Sequence, residues 1–127
     1  MPLLLIVEDD ADTRAELADF LSEEGYAVCE ASDRADGLER LRTRSPDLVI
    51  LDYGLPAPSE GAEFLRIKAS EPKIASVPVI LASGFVLPPE MGGVVAMMSK
   101  PFALDDILAL IRQFAGPPEA PKTSTAA

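Results

Sequence analysis

The 127-residue chain has no histidine and no tryptophan, and only one cysteine, Cys29. Without histidine, a Ser-His-Asp or Cys-His nucleophilic site is excluded, as is any histidine-ligated zinc. One cysteine cannot close an internal disulfide, which fits a reducing compartment. Positive charge is scarce: 11 Lys and Arg face 21 Asp and Glu, for a formal net charge of −10. That balance argues against nucleic acid, whose phosphates call for a Lys/Arg-rich surface. Long apolar runs are missing too. Leu3–Val7 is far too short for a membrane span, and acids follow it where a signal peptide would stay apolar. A cytoplasmic protein that binds neither membrane nor nucleic acid is expected. No Gly-rich phosphate loop follows the first apolar run, which disfavours a nucleotide-binding module.

What is present is a large apolar fraction, 48%, enough for the core of one domain. Short apolar runs alternate with helix-like stretches. Leu3–Val7, Tyr26–Glu30, Leu48–Leu51, Val79–Ala82 and Val94–Ser99 read as strands. They are continuous rather than alternating, as expected when helices cover both faces of a parallel sheet. Thr13–Glu24, with Leu17, Phe20 and Leu21 on one face, reads as a helix stopped by Gly25. A second helix is capped by Ser32 or Asp33, carries Leu38 and Leu41, is weakened slightly by Gly37, and ends near Ser45-Pro46. A third runs from Glu60 to Ser70, with Phe64, Leu65 and Lys68 at helical spacing. Leu104, Ile107, Leu108 and Ile111 define a strongly amphipathic last helix ending near Gly116. The expected fold is a doubly wound α/β sandwich on a five-stranded parallel sheet. Residues 1–115 form the domain, and 116–127, rich in Pro, Ala, Ser and Thr, form a disordered tail or linker stub.

Four strands end in residues of complementary chemistry: Glu8-Asp9-Asp10, Asp52, Ser83 and Lys100. Ligands of open parallel α/β sheets bind beyond the carboxyl ends of the strands, so these groups meet at one edge. Converging carboxylates repel one another, and a hard divalent ion such as Mg²⁺ relieves the repulsion. A lysine beside them can neutralise a phosphoryl group. Each residue also has a plainer reading. Acids after a strand often cap the next helix, and Asp10 or Asp12 fits that role. Ser83 alone would be a turn hydroxyl, and Lys100 a solvated loop residue. Met91, Met97 and Met98 read as packing residues.

In this order the motifs Val7-Glu8-Asp9-Asp10, Asp47-Leu48-Val49-Ile50-Leu51-Asp52, Pro78-Val79-Ile80-Leu81-Ala82-Ser83 and Lys100-Pro101-Phe102 are informative together. Over about residues 3–115 the chain resembles the receiver domain of bacterial two-component response regulators. The resemblance implies a flavodoxin-like fold, chemotaxis-regulator-like in topology. It implies a phosphoacceptor signalling domain rather than an enzyme acting on a separate substrate. Its partner would be a sensor histidine kinase or phosphotransfer protein, which supplies the phosphohistidine this chain lacks. By the same resemblance Asp52 is the phosphoacceptor. Glu8, Asp9, Asp52 and the carbonyl of Gly54 hold Mg²⁺, and Ser83 and Lys100 contact the phosphoryl group.

The chain also departs from the family pattern. Met97 stands three residues before the lysine, where the family usually has a switching Tyr or Phe. The stretch from Ser83 to Lys100 is short and contains Pro88-Pro89 and Gly92-Gly93, so the family's fourth helix is expected to be shortened or absent. Gly54 and Phe85, at two positions that tune dephosphorylation in the family, offer no group to orient water. Two readings follow. One is a competent phosphoacceptor that signals by protein contact to a downstream protein the sequence does not identify. The other is a degenerate receiver acting as a phosphorylation-independent interaction module. An aspartate-nucleophile phosphatase is disfavoured, because Asp52-Tyr53-Gly54 lacks a second carboxylate two residues on. Gly84–Gly93, with apolar Phe85, Val86, Leu87 and Met91, is expected to be irregular and to join the last helix in partner binding or self-association.

Overall fold

The computed structural model describes residues 2–52, 58–83, 93–99 and 103–118. Strands and helices follow in the order β1 (Leu3–Val7), α1 (Ala11–Glu23), β2 (Ala27–Ala31), α2 (Arg34–Arg44), β3 (Leu48–Asp52), α3 (Pro58–Ser70), α4 (Pro72–Ala75), β4 (Val79–Ser83), β5 (Val94–Ser99) and α5 (Leu104–Ala115). All strand pairs are parallel, and the sheet order is β2-β1-β3-β4-β5. The doubly wound five-stranded sheet expected from the sequence is therefore present. Helix ends agree with the sequence reading to within two residues.

Side chains alternate across a strand with period two, so a continuous apolar strand feeds two cores. Leu5, Val7, Val49, Leu51, Val79 and Leu81 point to one face, against Leu38 and Leu41 of α2, Phe64 and Leu65 of α3 and Ile74 of α4. Leu4, Ile6, Leu48, Ile50 and Ile80 point to the other, against Leu17 and Leu21 of α1 and Ile107, Leu108 and Ile111 of α5. Either face left bare would expose several fully buried Leu and Ile side chains, each worth about 1.5–3 kcal/mol on burial.

Two glycines have reasons that the sequence hides. Gly37 lies on the buried side of α2, and a Cβ there would sit 3.0 Å from Phe64 Cε2 and 3.0 Å from Val7 Cγ2. Its helix penalty is the cost of letting α2 approach β1 and α3 closely. Gly93 has φ +82°, and a Cβ there would lie 2.7 Å from Lys68 Nζ.

The four-residue α4 does not appear in the sequence reading, because Pro72–Ala75 is too short to show a helical period. The expected loss of the family's fourth helix concerns Gly84–Gly93, of which residues 84–92 lie outside the described residues. Most of the expected tail, from Glu119 onward, lies outside them as well.

Candidate functional site

The register of the central strands places the site. Val7 of β1 pairs with Leu51 of β3, so the next residues, Glu8 just past β1 and Asp52 at the end of β3, lie side by side. Asp52 in turn pairs with Ala82 of β4, and Ser83 pairs with Ser99 of β5. The carboxyl ends of β1, β3, β4 and β5 thus form one rim, the position at which open α/β sheets hold ligands.

Carboxylate oxygens of Glu8, Asp9 and Asp52 all lie within 4.8 Å of one another. Glu8 is buried, Asp52 is half-buried and Asp9 is exposed. Main-chain bonds hold the carboxylate loop in place. The Glu8 amide extends the β1–β2 ladder by donating to Ala31 O at 3.0 Å. Arg14 Nη1 donates to Glu8 O at 2.8 Å, while its Nε pairs with Glu30 Oε1 at 3.3 Å. The Asp10 amide donates to Glu8 Oε2 at 3.2 Å, which orients the Glu8 carboxylate. Asp10 itself caps α1, accepting from the Thr13 amide at 2.8 Å and from the Thr13 hydroxyl. The plainer reading of Asp10 as a helix cap is correct; Asp12 lies in the first turn of α1.

An all-carboxylate oxygen set suits a hard cation that keeps much of its water, and not a metal that seeks thiolate or imidazole. The donor chemistry of Glu8, Asp9 and Asp52 therefore fits Mg²⁺. Beside the three carboxylates opens a cavity of about 470 Å³, lined by Glu8, Thr13, Glu16, Leu17, Asp52 and Leu104 among others. It joins the rim to the N-terminal turns of α1 and α5.

Of the site residues named from sequence, Glu8, Asp9 and Asp52 come together. The Ser83 main chain ends β4 on the same rim; its side chain lies outside the description. Gly54, Phe85 and Lys100 fall outside the described residues. Lys100 follows Ser99 directly in the chain, and Ser99 pairs with Ser83. Met97, at the expected switch position, is 46% exposed on β5. Sequence reasoning missed the part played by Arg14 in anchoring the loop. The signal available was its position one helical turn after the capping Asp10. Among the described residues, no helix is long and apolar enough to cross a membrane.

Comparison with known proteins agrees with this geometry. The family model described as the response regulator receiver domain matches residues 4–112. The transcriptional regulatory protein PdtaR of Mycobacterium tuberculosis is 35% identical over 112 residues, which is 85% of this chain and 54% of that protein. The KDP operon transcriptional regulatory protein KdpE of Escherichia coli is 36% identical over 119 residues, 88% of this chain and 50% of that protein. The chain thus spans about half the length of these curated relatives. Among solved structures, the chemotaxis response regulator CheY4 of Vibrio cholerae superposes with a TM-score of 0.79 at 22% identity. That match covers 90% of this chain and 98% of that one, and it speaks to the fold.

Proposed function

Because the chain belongs to the response regulator receiver domain family, we propose that it accepts a phosphoryl group on Asp52 from the phosphohistidine of a sensor kinase or phosphotransfer protein. The observation that carries this reading is the convergence of the Glu8, Asp9 and Asp52 carboxylates within 4.8 Å at the carboxyl rim of the sheet. An Asp52 carboxylate oxygen attacks phosphorus, the bond from phosphorus to the donor imidazole nitrogen breaks, and an acyl phosphate forms. The imidazole leaves with the electron pair of that bond and takes up a proton. Glu8 and Asp9, with Asp52, would hold Mg²⁺. When bound, that ion supplies positive charge that offsets both the converging carboxylates and the phosphoryl oxygens.

The remaining roles combine these contacts with what the family resemblance implies. Glu8 is oriented by the Asp10 amide and Arg14 holds its main chain, so the carboxylate is set before any ligand arrives. Lys100, directly after the Ser99 that pairs with Ser83, is assigned to the phosphoryl charge, and Ser83 to a hydrogen bond on a phosphoryl oxygen. Self-catalysed hydrolysis then returns the aspartate. The altered state passes on through protein contact, with Gly84–Gly93 and α5 as the proposed output surface.

A second reading, a phosphorylation-independent interaction module, draws support from Met97. This exposed residue stands where the family usually places a switching aromatic ring. One experiment separates the two. Incubation with a small-molecule phosphodonor and Mg²⁺, followed by intact-mass analysis, is expected to give one phosphoryl adduct on the native chain and none on Asp52→Ala. Absence of an adduct from the native chain selects the second reading.

A further inference from the structure

Lys68 is the one charged side chain among the fully buried described residues, and phosphoryl transfer makes no use of it. It lies near the end of α3, on the face that meets the sheet. Its ammonium donates to Ala75 O at 2.8 Å. Ala75 is the last residue of the four-residue α4, whose terminal carbonyls have no helical partner of their own. The α3–α4 corner is otherwise closed by short main-chain bonds, from Glu71 N to Lys68 O at 3.2 Å and from Ala75 N to Glu71 O at 2.9 Å.

The same ammonium lies beneath the start of β5. A Cβ on Gly93 would fall 2.7 Å from Lys68 Nζ and 3.5 Å from both Ala75 O and Val77 O. The Gly93 main chain is therefore seated on the lysine head group, beside two carbonyls. Gly93 O also accepts from Val79 N at 2.9 Å. Immediately afterward the β4–β5 register shifts between Val79↔Val94 and Ile80↔Ala96, leaving Val95 as the extra residue of a bulge. The pairing of Met97, Met98 and Ser99 with Leu81, Ala82 and Ser83 runs on from that point. Whatever holds Gly93 thus sets where the strand leading to Lys100 begins.

We propose that the Lys68 ammonium is a clasp between the α3–α4 corner and the start of β5, and that it loosens when the amine loses its proton. A charge-assisted hydrogen bond to a carbonyl is about twice as strong as a neutral one. A neutral amine also has one donor fewer and a lone pair that finds no donor in a site built from carbonyl oxygens. Burial pushes the Lys68 pKa down from its usual range, so the loosening comes before an exposed lysine would titrate. The surrounding charges do not oppose it. Glu71 is held by Arg42 of α2, with Nε to Oε1 at 3.0 Å, and Lys73 of α4 is exposed. Strands β4 and β5 carry no ionisable side chain along the described lengths. Cys29, in the same apolar cluster, also titrates in alkali and is unchanged in the Lys68 variant.

The test is an NMR pH titration of the native chain, following the Lys68 side chain and the amides of residues 93–96, with Lys68→Met beside it. The expected result is one shared midpoint below 10.5 for Lys68 and the Gly93 amide in the native chain. Above it, amide exchange at residues 93–96 should rise about tenfold beyond intrinsic base catalysis. Lys68→Met should show neither change. Should Lys68→Met fail to fold, the native titration alone decides. Gly93 signals that stay fixed while Lys68 titrates, or that move identically in Lys68→Met, overturn the proposal.

Discussion

Magnesium should stabilise this fold through three specific carboxylates. Their oxygens lie within 4.8 Å of one another. Two unit charges at that separation repel by about 0.9 kcal/mol at the dielectric of water, and by about 3.5 kcal/mol at an effective value of ~20. The exposed Asp9 belongs near the lower figure and the buried Glu8 nearer the upper. A divalent cation turns those repulsions into attractions, but a rim site that leaves several waters on the ion binds with a Kd of only about 1 mM. At ten times that concentration the linked stabilisation is about 1.4 kcal/mol, which for a domain of this size raises Tm by about 5 °C. The assay is thermal unfolding in about 10 mM MgCl₂ against NaCl of matched ionic strength, so that general screening cancels. Asp9→Ala should lose most of the magnesium-specific shift, with little effect on the core because Asp9 is exposed. A shift of equal size in Asp9→Ala, or none in the native chain, would refute the assignment of the carboxylate cluster.

Three further outcomes are expected. Gly37→Ala should destabilise by about 1–2 kcal/mol in urea unfolding: Phe64 and Val7, both fully buried, meet the new methyl at 3.0 Å, and overpacking outweighs the gain in helix propensity; unchanged or greater stability would show that α2 can shift freely. Tyr26→Phe should cost about 1 kcal/mol by removing the hydroxyl that donates to Gly116 O at 2.8 Å. Burial raises the Tyr26 pKa despite the opposing Arg112, so that contribution is complete below pH 10 and fades as pH rises through the folded-state value; a difference between native and variant that grows above pH 10 would contradict this sign. Finally, the acyl phosphate should decay over minutes to hours or longer, because Gly54 and Phe85 offer no group to align water. Gly54→Asn should shorten its lifetime, and decay within seconds in the native chain counts against the reading.

The fold was legible because its signals are local and repeated. Continuous runs such as Leu3–Val7 and Leu48–Leu51 admit helices on both sides, and the intervening stretches carry helical spacing. Asp33 and Asp10 cap their helices through their own side chains, which is why those starts were readable to within two residues. The Pro72–Ala75 turn escaped because four residues complete barely one helical period. In the sequence, Gly37 is only a weak point of α2. Its reason lies in Val7 and Phe64, thirty and twenty-seven positions away, and no local pattern reports such a contact.

The carboxylate site was legible for a different reason. In a parallel sheet the end of each strand is a predictable place, so Glu8, Asp9 and Asp52 could be brought together from topology alone. What topology does not supply is the support beneath them. Arg14 reaches the Glu8 carbonyl across the first turn of α1, and a long flexible side chain has many other options in sequence. Lys68 is the sharper case. It shares its helical face with Phe64 and Leu65, and that spacing alone makes it an anomaly in a core. Its hydrogen-bond partner is Ala75 O of α4, and Gly93, just before β5, packs close to its head group, so the lysine makes sense only once the corner and the strand are in place. A charged residue on an apolar stripe can therefore mark the point at which an element too short for pattern recognition packs against its neighbours, provided its head group finds a carbonyl there.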